Sequence, residues 1–266
     1  MTSETGKFET LVRVGYFSRA VLYLVLGLIA FGAIGQIGKG TAGIFETVGS
    51  IPGGTLLLWV LVVGLTAYAL FRFASPLFDV ENKGSDAKGW AQRLGHAGSA
   101  VGHLALAWTA YKFATGGSGG EDGGASQAAQ GVLSFGLGGL AIAMLGVAFF
   151  LAALAQAEKA VTAKFMNHIS NEAPDQTCLI GRLGYATRAI VFTVIGWSLI
   201  ETGLLSEGSS NVKTLGEAVA ALAGTGWLFT LVALGLVMFG LFSLVLARYR
   251  TIPDIDTRKG PAGLTA

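Results

Sequence analysis

Residues 13–23 read Arg13-Val-Gly-Tyr-Phe-Ser-Arg-Ala-Val-Leu-Tyr23, and a closely similar pattern returns twice along the chain. The second copy is Arg93-Leu-Gly-His-Ala-Gly-Ser-Ala-Val-Gly-His103, and the third is Arg182-Leu-Gly-Tyr-Ala-Thr-Arg-Ala-Ile-Val-Phe192. A glycine followed by leucine or valine comes 51 to 53 residues after the start of each copy, at Gly64, Gly146 and Gly235. The chain therefore contains three tandem repeats, which we place at residues 8–77, 90–160 and 177–250.

The composition is typical of a protein that lies in a bilayer. Of the 266 residues, 52% are hydrophobic and only 13% are charged, whereas soluble domains carry about 25% charged residues. This balance excludes most classes of soluble enzyme. The single cysteine excludes an intramolecular disulfide, and the net charge of +2 gives no sign of nucleic-acid binding.

Six apolar segments have the length of about 20 residues that a helix needs to cross a bilayer. They lie at residues 16–36, 54–74, 96–115, 133–156, 185–205 and 225–247. We therefore predict an all-α integral membrane protein with six transmembrane helices, in which each repeat is a helical hairpin. Because each hairpin crosses twice, the three tandem hairpins run parallel, and a pseudo-three-fold arrangement is expected. Residues 1–266 then form a single membrane domain that ends in a flexible tail at 251–266.

The lysines and arginines are distributed unevenly between the two sides of this topology. Of the 18 basic side chains, 15 fall on the side that holds both termini, and only Lys39, Lys112 and Lys213 fall on the other. Cytoplasmic loops carry the excess of lysine and arginine in membrane proteins. The pattern predicts that both termini are cytoplasmic.

The repeated motif lies on one face of each opening helix. Its shared positions fall within an arc of about 120° at 100° per residue. The face mixes small, aromatic and cationic residues, which is typical of a buried helix contact and not of a lipid-facing surface. The candidate polar site consists of the larger side chains on these faces: Arg13, Tyr16, Arg19, Tyr23, Arg93, His96, His103, Arg182, Tyr185 and Arg188.

The threefold R-x-G-[YH]-x-x-[RS]-A pattern, followed each time by its Gly-Leu or Gly-Val helix, resembles the bacterial membrane proteins grouped as domain of unknown function 1206. The resemblance covers about residues 8 to 250. It implies a polytopic protein of the bacterial cytoplasmic (inner) membrane and implies no activity. The second copy departs from the pattern, because His96, Ser99 and His103 stand where the other copies have tyrosine, arginine, and tyrosine or phenylalanine.

The arginines of the motif allow two interpretations. Arg13, Arg93 and Arg182 open their helices, where they can reach lipid head groups or anchor the helix ends. Arg19 and Arg188 lie almost two turns deeper and should face protein, an anion or water. They either line a basic vestibule that holds an anionic lipid head group or solute, or they bond to tyrosines or helix C-terminal carbonyls of neighbouring repeats.

The histidines and two outer charges give weaker hypotheses. His103 suits a proton relay or metal site, but its counterparts Tyr23 and Phe192 favour a packing role. Two histidines seven residues apart on one helix cannot hold a haem iron from opposite sides, because they are about 10.5 Å apart along the axis. Lys112 and Glu201 occupy equivalent positions and form a candidate ion pair, or each is solvated separately. We expect no catalytic residues, no metal and no cofactor.

These observations favour a non-enzymatic membrane protein. The leading hypothesis is the binding or passage of a small solute, ion or anionic lipid through the face lined by arginine and tyrosine. The alternative is a structural or accessory protein whose motif only packs helices and anchors lipids. The expected partners are the lipid bilayer and anionic head groups, with no nucleic acid, and a homo-oligomer remains open. A hydrated face would favour the first hypothesis, and a dry face with arginines bonded to carbonyls would favour the second.

Overall fold

The computed structural model describes residues 2–32, 40–78, 84, 86–117, 129–205, 212–213 and 215–251. Except for residue 251, the predicted flexible tail lies outside this part of the chain. The described residues are largely helical and contain no β-strand. The α-helices are α1 (Thr2–Gly32), α2 (Gly40–Ser50), α3 (Gly54–Phe78), α4 (Ala87–Ala114), α5 (Gly138–Thr162), α6 (Thr177–Leu204), α7 (Leu215–Ala220) and α8 (Trp227–Tyr249), and Lys164–His168 and Ala223–Thr225 are 3₁₀ turns.

Five helices in the described part of the chain are long and apolar enough to cross a membrane. They are Val12–Phe31 of α1, Gly54–Ala74 of α3, and all of α5, α6 and α8. This supports the all-helical membrane fold. The predicted span 96–115 lies in α4, which has 28 residues but contains two histidines and several glycines that make it less apolar. A crossing by α4 therefore stays a prediction.

Each repeat supplies an opening helix and a closing helix. These are α1 and α3 in repeat one, α4 and α5 in repeat two, and α6 and α8 in repeat three. The most extensive interfaces join the closing helix of one repeat to the opening helix of another: α3 to α4, α5 to α6, and α8 to α1. Within a repeat, α1 packs on α3 and α6 packs on α8.

Glycines bring the two helices of repeats one and three into close contact. A methyl group on Gly15 would lie 2.8 Å from the Tyr68 Cα atom, and one on Gly184 would lie 2.8 Å from the Phe239 Cα atom. Added methyl groups on Gly64 and Gly235 would overlap Ser18 and Thr187 of the opening helix. Such small residues let helix backbones approach closely in a membrane.

Repeat two differs from the predicted packed hairpin, because α4 and α5 share no extended interface among the described residues. Its glycines at the positions equivalent to Gly15 and Ser18 are Gly95 and Gly98, and an added methyl group on either would meet no atom within 4 Å. Gly146 of α5 packs instead against the Gly196 carbonyl of α6. The position that carries Ser18 and Thr187 in the other repeats is Gly98 in repeat two, and α6 takes the place over Gly146 that the opening helix takes over Gly64 and Gly235.

Two short helices lie between the long ones. The similar sequences of residues 42–52 and 212–223 predict two short interfacial helices, and α2 and α7 lie in these segments. α2 packs against α3, α4 and α7. Its Ile44 and Phe45 side chains are fully buried, as are Ala218 and Val219 of α7.

Candidate functional site

The first arginine of every repeat motif donates hydrogen bonds to carbonyl groups at or just beyond the end of a closing helix. Arg13 Nη1 donates to the carbonyl oxygens of Ala247 (2.8 Å) and Arg248 (2.6 Å) at the end of α8. Arg182 Nη2 donates to the Val161 carbonyl at the end of α5 (2.7 Å).

Arg93 makes the corresponding contact in repeat two. Its Nη2 donates to the Pro76 carbonyl at the end of α3, and its Nη1 reaches the Gly84 carbonyl at 3.5 Å. The last four carbonyls of a helix have no partner within that helix, and a cation there interacts favourably with the helix dipole. We call these three contacts the arginine clasps.

The clasps follow one rule around the three repeats. Arg93 of repeat two holds the closing helix of repeat one, and Arg182 of repeat three holds that of repeat two. Arg13 of repeat one holds the closing helix of repeat three. The clasps differ in burial: Arg93 is 0% exposed, the Arg13 side chain is 33% exposed and also pairs with Glu9, and Arg182 is exposed.

Arg19 lies inside the bundle, bonded to side chains of two other helices. It is 4% exposed. Its Nη1 donates to the Tyr68 hydroxyl on α3 (2.9 Å), and its Nε donates to Ser243 Oγ on α8 (3.1 Å). Its guanidinium carbon lies 4.6 Å from the centre of the Tyr16 ring, at a distance that permits a cation–π interaction.

Arg188 approaches the same place from α6. Its guanidinium carbon lies 4.7 Å from the centre of the Phe239 ring and 5.9 Å from that of Tyr23. The Arg19 guanidinium carbon lies 4.9 Å from the same Phe239 ring. The two deeper arginines therefore contact one aromatic ring. We call the group around that ring the central cluster, and it consists of Tyr16, Arg19, Tyr23, Tyr68, Arg188, Phe239 and Ser243.

Two donors of the central cluster are buried without a hydrogen-bond partner among the described residues: Arg19 Nη2 and Arg188 Nε. The ion pairs formed between described residues are Arg13–Glu9 and Lys164–Glu158, and neither includes Arg19 or Arg188. A buried charged donor without a partner is costly. This local excess of positive charge is the feature of the structure that suggests a ligand.

A model of one protein family matches most of this chain. The family is described as Domain of Unknown Function (DUF1206), and its model matches residues 14–78, 94–163 and 183–250. The chain belongs to the DUF1206 family. The three matched segments confirm the resemblance and the threefold repeat. Uncharacterized protein YxxB of Bacillus subtilis (strain 168) is 29% identical over 250 residues, which covers 90% of each chain. No solved structure matches the chain significantly.

Tyr68 lies outside the repeat motif, and the motif alone does not predict its role of organising the arginines of this DUF1206 protein. Its hydroxyl accepts from Arg19 Nη1 and also from Arg72 Nε (3.0 Å). A signal for it exists in the sequence, because an aromatic residue follows each landmark glycine by four positions: Tyr68, Phe150 and Phe239. One helical turn brings this ring to the same face as the glycine.

We expect Tyr68→Phe to lower the free energy of unfolding by about 1–2 kcal/mol, because two arginine donors lose their acceptor. Chemical denaturation in detergent micelles measures this. Tyr185→Phe is the matched control, since the Tyr185 hydroxyl makes no hydrogen bond with a described residue. Equal losses in the two variants would contradict the role assigned to the Tyr68 hydroxyl.

The remaining aromatic residues of the candidate site pack within or beside the central cluster. The Tyr16 ring lies 5.4 Å from that of Tyr68, and the Tyr23 ring lies 4.7 Å from that of Phe239. The centre of the Tyr185 ring lies 5.6 Å from that of Phe239. The structure thus brings the tyrosines of repeats one and three together.

The histidines of the DUF1206 motif occupy the second repeat only. The His103 ring centre lies 4.6 Å from that of Tyr68, and its Nδ1 lies 2.6 Å from the Ser99 carbonyl oxygen. His96 lies partly buried two turns earlier on α4. His103 therefore contacts the central cluster through an aromatic ring, as the packing interpretation expects.

The candidate ion pair of Lys112 and Glu201 is not among the ion pairs of the described residues. Glu201 Oε1 accepts from Trp197 Nε1 on its own helix (2.6 Å). Lys112 Nζ lies 5.9 Å from the centre of the Trp108 ring, also on its own helix. The physical reason is that α4 and α6 share no extended interface, so equivalent positions on these helices do not meet.

Two surface depressions of the described structure lie away from the central cluster. One of about 420 Å³ lies between α5 and α6, with Leu133, Phe135, Gly139 and Thr202 in its lining. The other, of about 310 Å³, is lined by Val14, Trp59, Val60 and Val63 and is apolar. Neither is lined by an arginine.

Proposed function

We propose that this protein crosses the bacterial inner membrane six times, with its three repeats around one axis and both termini cytoplasmic. The cyclic rule of the arginine clasps supports this, as does the recurrence of the interface between closing and opening helices. The length of α4 suits a sixth crossing, and the excess of lysine and arginine on the side of the termini supports the orientation.

We further propose that the central cluster binds a small oxyanion such as phosphate, either free or as part of a lipid head group. The observation that carries this proposal is the pair of buried, unpartnered donors, Arg19 Nη2 and Arg188 Nε. A buried charge needs a counter-charge or hydrogen-bond partners to offset its desolvation. An oxyanion supplies both, because its oxygens accept charge-assisted hydrogen bonds from guanidinium groups.

The second repeat leaves room for the anion. Arg19 and Arg188 occupy the seventh position of their motif copies, and the equivalent residue of repeat two is Ser99. In an arrangement around one axis, these three side chains point towards a common centre. Two long cationic side chains and one short hydroxyl side chain then surround the binding site. The space on the side of the short hydroxyl is left for the anion.

The proposal is for binding and not for passage. Arg19 is enclosed by Tyr16, Tyr68 and Phe239, and such an enclosed charge suits a bound anion better than a passing one. A chain of arginine, tyrosine and serine donors holds an anion but supplies no nucleophile with an adjacent base, so the proposed role is non-enzymatic.

The test is thermal unfolding of the purified, delipidated protein in uncharged detergent with increasing phosphate, at constant ionic strength set with chloride. A ligand that binds only the folded state raises the melting temperature with concentration. We expect Arg188→Gln and Arg19→Gln to raise at least tenfold the phosphate concentration that gives the same rise in melting temperature. Arg182→Gln is the matched control, because it removes a charge from a clasp outside the central cluster. Equal phosphate stabilisation in the wild type and in both central variants would overturn the proposal.

A second candidate is a structural or accessory role, which the arginine clasps favour. All three first arginines bond to helix C-terminal carbonyls, as a motif that only packs helices requires. Under this alternative, Arg19 and Arg188 contribute to stability alone. The wild-type protein would then show no specific response to phosphate.

A further inference from the structure

Two further arginines contact the central cluster from one end of the bundle. This is the end at which α1 begins and α8 ends, and we call it the terminal end. Arg72 lies there near the end of α3, and Arg250 directly follows α8. Both residues are partly exposed, whereas Arg19 is 4% exposed. The terminal end therefore carries cationic side chains that are only partly buried.

Tyr68 and Tyr16 link these two arginines to Arg19. The Tyr68 hydroxyl accepts from Arg19 Nη1 (2.9 Å) and from Arg72 Nε (3.0 Å), so the two donors lie no more than two hydrogen-bond lengths apart. The Arg250 guanidinium carbon lies 5.4 Å from the centre of the Tyr16 ring, and that of Arg19 lies 4.6 Å from it. Each tyrosine thus contacts the buried arginine and one arginine of the terminal end.

The opposite side of the central cluster is apolar. α1 has no charged residue after Arg19, α8 has none before Arg248, and the first charged residue after Arg188 in α6 is Glu201. The buried side chains on that side belong to one hydrophobic cluster, which includes Leu26, Ile29, Val191, Ile195, Val232 and Leu236. Moving an anion through such a core is strongly unfavourable, because its charge would lose water and gain no partner. The less costly approach to Arg19 is from the terminal end.

We infer that Arg72 and Arg250 form an entrance through which a soluble oxyanion, such as inorganic phosphate, reaches the central cluster. This inference rests on the proposed oxyanion site, and it specifies the source of the ligand and two further residues that recognise it. Partly exposed cations attract an anion from solution and raise its association rate. Because we propose that the terminal end is cytoplasmic, the ligand is an anion of the cytoplasm.

The probe is inorganic phosphate, added to the delipidated full chain in uncharged detergent. Exchange broadening in ³¹P nuclear magnetic resonance gives its association and dissociation rate constants. We expect the double variant Arg72→Gln, Arg250→Gln to bind phosphate about tenfold more slowly at low ionic strength, with little change in the dissociation rate. Arg19→Gln should instead raise the dissociation rate, because it removes a buried donor. Added salt should slow association with the wild type and hardly change it in the double variant.

Arg248→Gln is the matched control for Arg250→Gln, because it removes a charge from the same end of α8. The Arg248 guanidinium carbon lies beside the Tyr249 ring, at 5.9 Å from its centre, and not beside Tyr16. Arg248→Gln should bind phosphate at the wild-type rate, whereas Arg250→Gln should be slower. The double variant Arg72→Lys, Arg250→Lys keeps both charges and should restore most of the association rate, and it replaces the glutamine variant if that protein does not fold.

Unchanged association rates in the glutamine double variant would overturn the inference, and so would equal slowing by Arg248→Gln and Arg250→Gln. A lipid source would also overturn it: phosphatidylglycerol would then bind at lower concentrations than phosphate, equally well in the wild type and the glutamine double variant. Phosphate binding that Arg19→Gln weakens but the entrance variants leave unchanged defeats this inference alone. No response of the wild type to phosphate defeats the proposed function as well.

Discussion

Arg93→Ala should lower the free energy of unfolding by about 3–4 kcal/mol, the largest loss expected from any of the clasps. Arg93 is fully buried, and its guanidinium carbon lies 4.3 Å from the centre of the Trp90 ring. Truncation leaves a cavity in the core and leaves the Pro76 carbonyl without its donor. It also removes the cation that interacts favourably with the negative end of the α3 helix dipole.

Equilibrium denaturation in mixed detergent micelles measures this loss. Arg182→Ala is the matched control, because it removes the equivalent clasp at an exposed position and should cost only about 0.5 kcal/mol. Arg93→Met keeps most of the side-chain volume but donates no hydrogen bond. It therefore separates the contribution of packing to the free energy of unfolding from that of hydrogen bonding. We expect it to recover part of the loss but not all of it. Equal stability of the Arg93→Ala and Arg182→Ala proteins would show that burial does not decide the strength of a clasp.

Gly184→Leu should lower the free energy of unfolding by about 3 kcal/mol, at the upper end of the usual cost of overpacking. The first carbon of the new side chain would lie 2.8 Å from the Phe239 Cα atom, which belongs to the backbone of α8 and cannot rotate away. α6 and α8 must therefore separate. That movement also displaces Phe239, the ring that Arg19 and Arg188 share.

The sequence supplies an internal control for this substitution. Gly95 occupies the same position of repeat two and has open space beside it. Gly95→Leu should therefore leave the free energy of unfolding unchanged or raise it slightly, because leucine is about 0.8 kcal/mol more favourable than glycine in a helix. The measurement is the ratio of folded to aggregated protein on size-exclusion chromatography, determined for both variants under the same conditions. A loss in Gly95→Leu as large as that in Gly184→Leu would mean that α5 packs on α4 in the membrane.

The helices and repeats could be predicted from the sequence because they depend on local properties. Apolar length predicts a spanning helix, and the spacing of Arg13, Arg93 and Arg182 indicates the copies. The one ambiguous span, α4, is the one whose histidines and glycines lower its apolar content. The partners of the arginines were harder to predict. One alternative for Arg19 and Arg188 was a tyrosine or a helix C-terminal carbonyl of a neighbouring repeat. In the structure, Arg19 bonds to Tyr68 of its own repeat and to Ser243 of repeat three. The helix C-terminal carbonyls bind the first arginine of each motif instead.

There is a physical reason why the partners of the arginines could not be read from the sequence. Sequence position gives the depth of a side chain along its own helix, but it does not give the neighbour that ends at that depth. The opening arginines lie level with the ends of closing helices from other repeats, and that register follows from tertiary packing. The same limit applies to Gly98, because its sequence indicates close packing and only the position of α5 shows that its face is uncovered.

The clasp of Arg13 with the end of α8 has a consequence for biogenesis. Arg93 and Arg182 each find their acceptor carbonyls in chain that the ribosome has already made, whereas the acceptors of Arg13 lie in the last helix to be made. Until then, α1 carries an arginine whose acceptors do not yet exist. The Arg13 clasp is therefore the last of the three that can form during synthesis, because it needs the carbonyls of Ala247 and Arg248.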